Sequence, residues 1–499
     1  MTTRIVVIYS YYEKNRDYID NLKYFIQHAL YDDIHYIFCI NGRKCSVEIP
    51  TSPNIEILER DNHDYDFGAY SDALKNIDIS SYDYFFFINT SVCGPFLREN
   101  IRWTQPFLDL LTDNVKLVGT TINICDVRDP ETQKKGCLDI LVEKGYKPPF
   151  SHVQSQVFVL DNEALRYIIS QGLFDQSSEK DFVRFVVLRE ILLSQLILRN
   201  GWNINCILPK YKGIDYRIIT RDINWTTLNG DAYYPGRYFG GSIKPYDVIF
   251  IKTNRNLYTY VNPSSLKIYV ICHDDKSEQR AIKLVEDKPW AVPTRIKTTV
   301  FLETNFWNEY DASSDTQEWV GTISYHADDK ILDPLGNLGK AMKEGGDDID
   351  VIGLLNAERT MLSLAHQAVI RHPGLLQLME IFLSKAGESK EDIAKLSSNE
   401  MKPFYANFWI ARREWAKSYS EWLRRVLPKS AEVEKLLWMN SGYEISKLKT
   451  NNNTMQMFGC SYYPMHPFLG ERLPIYYYHT RKARVTVIKH RPALNKKKI

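Results

Sequence analysis

The chain has 499 residues, with 63 Lys plus Arg, 61 Asp plus Glu and a formal net charge of +2. This length exceeds what one hydrophobic core usually organises, so we expect two domains or slightly more. The balanced charge gives no broad electrostatic reason to expect nucleic acid or an anionic membrane as a partner. The 8 cysteines lie far apart, without the CxxC spacing of a zinc site.

The N-terminus begins with RIVVIYSYY, which predicts a first β-strand and not an export signal. The longest apolar runs, at 84–88 and 187–198, are too short or too charged to span a bilayer. We therefore expect reduced thiols, no transmembrane segment and a cytoplasmic location, in a bacterium or, for a viral protein, in its host cell.

Apolar β-branched runs alternate with helical periods through the first half of the chain. They predict strands at 4–9, 34–40, 54–58, 82–89, 116–122 and 156–160, with helices at 17–30 and 68–77. This order is typical of an α/β domain with a mainly parallel sheet. Segment 208–264, rich in Tyr, Gly and Pro, is predicted to form loops.

The strand pattern restarts at Leu266 with LKIYVICHDD, after the linker-like VNPSS at 261–265. We therefore predict an α/β domain at 1–260, a second one at 266–485 and a basic tail at 486–499. A duplicated α/β architecture follows from this restart.

A predicted strand-to-helix turn places Gly68 behind two acids, Asp64 and Asp66. Such a turn brings backbone close to a nucleotide, and an Asp in it can accept hydrogen bonds from a ribose or a base. We therefore assign all three residues to the binding of a nucleotide-bearing donor substrate. The structural alternative is that Asp66 only caps the helix that follows.

The buried strand at 82–89 delivers Asn89, Thr90 and Ser91 to its carboxyl end, where ligands of open α/β sheets bind. We assign Asn89 and Ser91 to donor binding. His152 and Gln154 precede another strand and could face an acceptor sugar, although a lone His is more often structural.

Five blocks follow one another in the first 255 residues: DFGAY, FFFINTSVCGPFL, HVQSQVFVL, REILLSQLILRNGWNI and GGSIKPYDVIFIKTNR. Together they resemble glycosyltransferases of the rhamnan-synthesis protein F type and related transferases of large algal viruses, the chloroviruses. The resemblance implies a GT-A fold, a nucleotide-sugar donor (plausibly of rhamnose), a glycan or glycoprotein acceptor and inverting transfer, with Glu190 as general base. The alternative for Glu190 is a solvated helical residue.

One position departs from the GT-A pattern. Asp-x-Asp usually follows the buried strand and holds a divalent metal on the diphosphate, but this chain has Asn89-Thr90-Ser91 there. Either Asp64 or Asp66 contributes to a Mg²⁺ or Mn²⁺ site, or cations such as Lys244 neutralise the diphosphate without metal, or this half is inactive.

The second half contains the blocks KIYVICHDD, EWVGTISYHADD, DIDVIGL, KPFYANFWIARREWAKSYSEWL and YYPMHPFLGERLPIYYY. Together they resemble another glycosyltransferase-like domain, found in polysaccharide biosynthesis and viral proteins. His326 and Asp328 follow a predicted strand, which suits nucleotide-donor and metal contact. Asn407 and Arg412 stand beside aromatic residues, which suits a diphosphate and a stacked sugar, although aromatics at these spacings are more often core. The resemblance adds Glu471 as general base, with an ion pair to Arg472 as the alternative.

The sequence thus predicts two GT-A-like domains in tandem and a hexosyl- or deoxyhexosyltransferase of surface-glycan or polysaccharide biosynthesis. The alternative is one active domain with the other serving as a glycan-binding or scaffold module.

Overall fold

The computed structural model describes residues 3–98, 101–125, 137–177, 179–227, 231–255, 261–345, 348–356, 363–398, 401, 403–404, 407–442 and 452–490. The chain divides into two compact units, Met1–Leu257 and Tyr258–Ile499. The division falls shortly before Leu266, where the strand pattern restarts. The predicted α/β class is confirmed, since both units combine helices with a mixed sheet.

The first unit alternates strands and helices along most of its length. Its strands are β1 (Ile5–Tyr12), β2 (His35–Asn41), β3 (Ile55–Arg60), β4 (Tyr84–Asn89), β5 (Val92–Cys93), β6 (Val115–Gly119), β7 (Ile122–Cys125), β8 (Phe150–Val153), β9 (Val157–Asp161), β10 (Asn203–Cys206) and β11 (Ile251–Lys252). Its helices are α1 (Arg16–Ala29), α2 (Tyr65–Lys75), α3 (Gln105–Leu108), α4 (Asp139–Glu143), α5 (Asn162–Ser170), α6 (Phe182–Val186), α7 (Leu192–Arg199) and α8 (Pro245–Val248). A π-helical turn, Val187–Ile191, joins α6 to α7.

Seven of the described strands form one sheet in the order β3-β2-β1-β4-β9-β6-β10. Only β9 runs antiparallel to its neighbours, β4 and β6. Strand β1 is buried along nearly its whole length, which explains its continuous apolar sequence. The chain leaves β1 to one side and returns on the other at β4, so the carboxyl ends of these two strands flank a topological switch point.

The second unit repeats the alternation of strands and helices. Its strands are β12 (Leu266–Cys272), β13 (Ala291–Arg295), β14 (Trp319–Ser324), β15 (Val351–Asn356), β16 (Trp409–Arg412) and β17 (Val485–His490). Its helices are α9 (Asp275–Val285), α10 (Glu303–Glu309), α11 (Pro334–Gly345), α12 (Leu364–Arg371), α13 (Leu375–Lys385), α14 (Lys390–Ala394), α15 (Arg413–Val426), α16 (Glu434–Leu437), α17 (Asn452–Phe458), α18 (His466–Gly470) and α19 (Leu473–Thr480). None of the helices in the described ranges is both long and apolar enough to cross a bilayer.

The two main sheets share one topology. The second unit has the order β13-β12-β14-β16-β15-β17, and the first has β2-β1-β4-β9-β6-β10 once its edge strand β3 is set aside. In both sheets one antiparallel strand, β9 or β16, separates the third main strand along the chain from the fourth. Positions in the two units can therefore be matched by their place in the sheet.

Two sequence predictions need correction at the level of elements. Residues 486–490 of the predicted basic tail belong to β17, which pairs in parallel with β15; residues 491–499 lie outside the described residues. The predicted loop region 208–264 contains helix α8 and strand β11, and β11 pairs with β5 beside the end of β4.

Helix α2 begins with a close backbone approach that requires glycine. A Cβ atom added to Gly68 would lie 2.3 Å from the carbonyl oxygen of His63, which is too close for any side chain. The approach follows a tight turn in which Asp64 and Tyr65 both adopt left-handed backbone conformations, with φ of 53° and 48°. Gly68 thus sets the start of the helix that carries Asp66.

We predict that Gly68→Ala destabilises the protein by roughly 1–3 kcal/mol, because the backbone of the turn must move to admit the methyl group. Urea unfolding measures this loss. Gly241→Ala is the matched control, since its added Cβ would meet only an ordinary contact at 3.5 Å. Equal stabilities for the two variants would contradict the close approach.

Candidate active site

Asn89 connects two of the predicted donor-binding residues at the carboxyl end of β4. Its amide Nδ2 donates to Oδ2 of Asp66 over 2.7 Å. Its Oδ1 accepts hydrogen bonds from the backbone N–H (3.0 Å) and the hydroxyl (2.6 Å) of Ser91. The strand end and the first turn of α2 are thereby tied together, as the sequence reasoning expects of a site at this edge.

Glu190 lies in the π-helical turn between α6 and α7, and its carboxylate is held from two sides. Oε2 accepts hydrogen bonds from the backbone N–H of Ser155 (2.7 Å) and from its hydroxyl. Oε1 lies 3.7 Å from Nε2 of His152. The side chain keeps 17% of its surface exposed, so the carboxylate remains accessible to a small hydroxyl group. Inserted π-turns are frequent at functional sites.

The charges of Asp66 and Glu190 act on each other. Burial raises the pKa of Asp66 to about 6, and the nearby Glu190 carboxylate adds to this, while the hydrogen bond from Asn89 opposes it. Burial also lowers the pKa of His152, against the attraction of Glu190. His152 is therefore a neutral, fully enclosed imidazole at neutral pH.

Two cations that the sequence analysis did not single out lie in this group. Lys252 is half-buried on β11, and burial lowers its pKa, while Asp231, Glu190 and Asp66 act in the opposite direction. Within the described part of the chain its ammonium group has no hydrogen-bond or ion-pair partner. Arg255 donates from Nε to Asp231 over 2.6 Å.

The missed cations were visible in the sequence, at the end of the block GGSIKPYDVIFIKTNR. Lys244, the predicted cation of that block, instead precedes helix α8, with its backbone N–H bonded to Asp247. The turn from β11 onward is fixed at the sheet edge, because the N–H of Thr253 donates to the carbonyl of Ser91. This places Lys252 and Arg255, rather than Lys244, beside the carboxylates.

Other predicted residues have structural roles. Asp64 precedes α2 without capping it, and its carboxylate accepts from the N–H of Ser177 over 2.9 Å. Asp66 lies inside the first turn, so the capping alternative for Asp66 is wrong. Gln154 Oε1 accepts from the hydroxyl of Thr121, and His152 Nδ1 lies 3.1 Å from the carbonyl oxygen of Phe150. Protein groups already engage these two buried atoms, which does not support direct contact with an acceptor.

The residues around Asn89 do not fit a divalent-cation site. Mg²⁺ and Mn²⁺ need several hard oxygen ligands, preferably carboxylates. Here Asn89 Oδ1 is occupied by two hydrogen bonds from Ser91, and Asp66 shares its surroundings with the cation Lys252. Across the described ranges no three His, Cys, Asp or Glu side chains group where they could hold a metal. The metal role predicted for Asp66 is therefore not supported.

The second unit separates the residues that the sequence analysis grouped there. Arg412 lies opposite Trp319 at the amino end of β14, where it binds Glu318 and the carbonyl of Ile349. His326 follows the carboxyl end of the same strand, and the backbone of Asn407 accepts from Thr322 nearby. Arg412 therefore lies at the opposite edge of the sheet from His326, and this position does not support its donor-binding assignment.

The predicted metal ligand Asp328 has another partner. Asp328 and Asp329 both pair with Arg280, each over 2.7 Å. The predicted base Glu471 lies 3.7 Å from its neighbour Arg472, as the ion-pair alternative expects. Its carboxylate also raises the pKa of the buried carboxyl group of Glu303, a residue that the sequence analysis missed. No sequence motif marks Glu303. Its interest comes only from its position at the start of helix α10.

Comparison of the chain with protein-family models gives no match, and neither does comparison with curated proteins. The resemblance to rhamnan-synthesis and chlorovirus transferases therefore stays an expectation.

We predict that Asp66→Asn stabilises the protein near neutral pH. The folded state holds the Asp66 proton more tightly than the unfolded chain, so this contribution to stability is present below about pH 4 and is lost as the pH rises through about 6. The amide cannot ionise, and it keeps an oxygen for Asn89. The expected gain is on the order of 2 kcal/mol at about pH 7.5 and close to none at about pH 4.

Urea unfolding of the wild type and of Asp66→Asn at both pH values measures this difference. Asp113→Asn, at an exposed position, controls for the general effect of removing one negative charge. A stability gain that is the same at both pH values would show that Asp66 does not carry a raised pKa.

Proposed function

We propose that the chain is a nucleotide-sugar-dependent glycosyltransferase of GT-A type in which the first unit carries out transfer. The observation that carries this proposal is the position of Glu190 near the Asp66–Asn89 pair at the carboxyl edge of the sheet. Glu190 is held by Ser155, and the next residue, Gln156, accepts a hydrogen bond from the backbone N–H of Asn89 over 3.0 Å. Ligands of open α/β sheets bind at this edge, next to a switch point such as that between β1 and β4. The mixed sheet is compatible with this class of fold.

Glu190 is the general base of the proposed reaction. Its Oε2 is occupied by Ser155, which fixes the orientation of the carboxylate and leaves Oε1 to take a proton. The acceptor hydroxyl attacks the anomeric carbon of the donor sugar as its proton passes to Glu190. The bond from that carbon to the diphosphate oxygen breaks with its electron pair, and the configuration inverts.

His152 supports this role without touching the acceptor. Its imidazole is neutral and lies beside Glu190, so it does not compensate the carboxylate with a full positive charge. A base that is not neutralised by an ion pair keeps its ability to accept a proton. We therefore assign His152 as a positioning residue and not as an acceptor-binding one.

Lys252 and Arg255 are the groups we assign to the leaving diphosphate. Both approach the carboxyl edge of the sheet from the segment that starts at β11. The carboxylates of Asp231, Glu190 and Asp66 attract the Lys252 ammonium group, yet in the described residues it has no ion-pair partner of its own. A diphosphate would supply that partner and compensate the desolvation of the ammonium group. Asp66 and Asn89 are then left to bind hydroxyl groups of the ribose or the sugar.

The plausible donor is a rhamnose nucleotide and the plausible acceptor a glycan, as the sequence resemblance implies. A second candidate function keeps transfer in the first unit and makes the second a glycan-binding module. The ion pairs of Arg280 and Arg412 favour this second candidate. Carboxylates of the second unit already bind both guanidinium groups, so neither is left to hold a diphosphate there.

We predict that Glu190→Gln lowers nucleotide release from the productive donor by about 10²–10⁴-fold, because the amide cannot take the acceptor proton. Full-length protein is assayed with UDP-, GDP- and dTDP-sugars, each with glycan acceptors. Glu143→Gln is the control, a change of the same kind at an exposed helical position.

Two results would oppose the proposal. Undiminished release by Glu190→Gln would remove its role as base. Failure of every donor and acceptor pair with the wild type, while nucleotides still bind, would favour a binding protein without transfer chemistry.

A further inference from the structure

The second unit contains a buried carboxylate at the same place in the fold as Asp66. Glu303 is the first residue of α10, the helix that leads to β14, just as α2 leads to β4 in the first unit. Each residue thus lies in the first turn of the helix before the third main strand of its sheet. The Glu303 side chain is buried, with 7% of the residue exposed.

A second carboxylate, Glu471, matches Glu190 in the same way. Glu471 directly follows α18, between the antiparallel strand β16 and the last strand β17, and Glu190 lies between β9 and β10. The helices bearing the two glutamates are in direct contact, since a Cβ added to Gly470 would lie 2.4 Å from the hydroxyl of Thr304. Burial raises the pKa of Glu303 to about 7, and the Glu471 carboxylate adds to it.

Asn407 is a buried amide beside these carboxylates, with 1% of the residue exposed. Within the described part of the chain, neither polar atom of its side-chain amide makes a hydrogen bond of normal geometry. Its interaction with Glu303 is close enough to lower the pKa of that carboxyl. A buried amide whose hydrogen bonds are incomplete is costly, and such groups are commonly completed by a ligand or water.

The charges nearby favour hydroxyl groups over a second diphosphate. Arg280 is paired with Asp328 and Asp329, and Lys330 lies over the ring of Phe408, 5.3 Å from its centroid. Burial and neighbouring cations lower the pKa of His326 well below its usual value, so it is neutral. Carboxylates accept hydrogen bonds from hydroxyls, and an amide both donates and accepts, which suits a sugar ring.

We propose that Glu303, Asn407 and Glu471 form a second, sugar-binding site in the second unit. This inference rests on the proposed function, because it assumes that the matched positions in the two units bind the same class of ligand. The sugar is either that of a nucleotide-sugar donor or that of a glycan acceptor. Both present the same vicinal hydroxyls to the carboxylates.

The test measures binding by full-length protein of dTDP-rhamnose, UDP-glucose and GDP-mannose, and of the free sugars rhamnose, glucose and mannose, by calorimetry or ligand-observed NMR. The variant is Glu303→Gln, with Glu471→Gln as a second one. Glu309→Gln, at the exposed end of the same helix, is the control. Glu303→Gln removes a buried carboxylate and is expected to remain folded, which thermal unfolding checks.

We expect Glu303→Gln and Glu471→Gln each to weaken binding of at least one probe by tenfold or more, with Glu309→Gln unchanged. Loss for the nucleotide-sugar alone assigns a donor site, and loss for the free sugar as well assigns an acceptor site. Unchanged affinity for all six probes in both variants would overturn the inference.

The outcome is separable from that of the proposed function. Nucleotide release that depends on Glu190 while Glu303→Gln binds every probe normally would overturn the second site alone. Sugar binding that depends on Glu303 while Glu190→Gln releases nucleotide normally would overturn the transferase mechanism alone.

Discussion

The burial of a carboxylate beside a second carboxylate is the constraint on which both candidate sites depend. Asp66 with Glu190 and Glu303 with Glu471 each place one carboxyl group beside another in a partly enclosed site, and the pKa of Asp66 rises to about 6 and that of Glu303 to about 7. Burying such groups costs stability unless they are paired or hydrogen-bonded. Asn89 stabilises the first pair, and Asn407 lies against the second. The same costly arrangement occurs in both units, as expected if it serves a function.

The sheet topology explains why the arrangement occurs twice. In each unit a helix leads into the third main strand, and another helical segment leads into the last strand, so both deliver their side chains to the same edge of the sheet. The units differ in what surrounds the acids. Lys252 and Arg255 approach the first pair, while Arg280 in the second unit is held by surface carboxylates. This difference is why we assign diphosphate chemistry to the first unit and sugar binding to the second.

Apolar periodicity predicted the α/β class and the first elements closely, because β1, α1, β2 and β4 are long or strongly patterned. It also brought Asp66 and Asn89 to one edge, since carboxyl ends of parallel strands share it. It did not predict the position of Arg412, because β16 is a short strand whose direction depends on its partners. Strand β16 runs antiparallel to both of its neighbours, β14 and β15. The sequence analysis missed Glu303 because no motif marks that residue, and it missed Lys252 because Lys244 was the cation chosen from the same block. The importance of both residues comes from burial and from neighbours distant in sequence.

We propose that side-chain cations, and not a metal ion, hold the diphosphate in the first unit. The most direct test of this proposal is calorimetric binding of UDP, GDP and dTDP to the full-length protein in EDTA, for the wild type, Lys252→Met and the exposed control Lys23→Met. We expect metal-free binding of at least one nucleotide by the wild type and the control, weakened at least tenfold, or about 1.4 kcal/mol, in Lys252→Met. Binding that requires Mn²⁺ and is equal in all three proteins would contradict it.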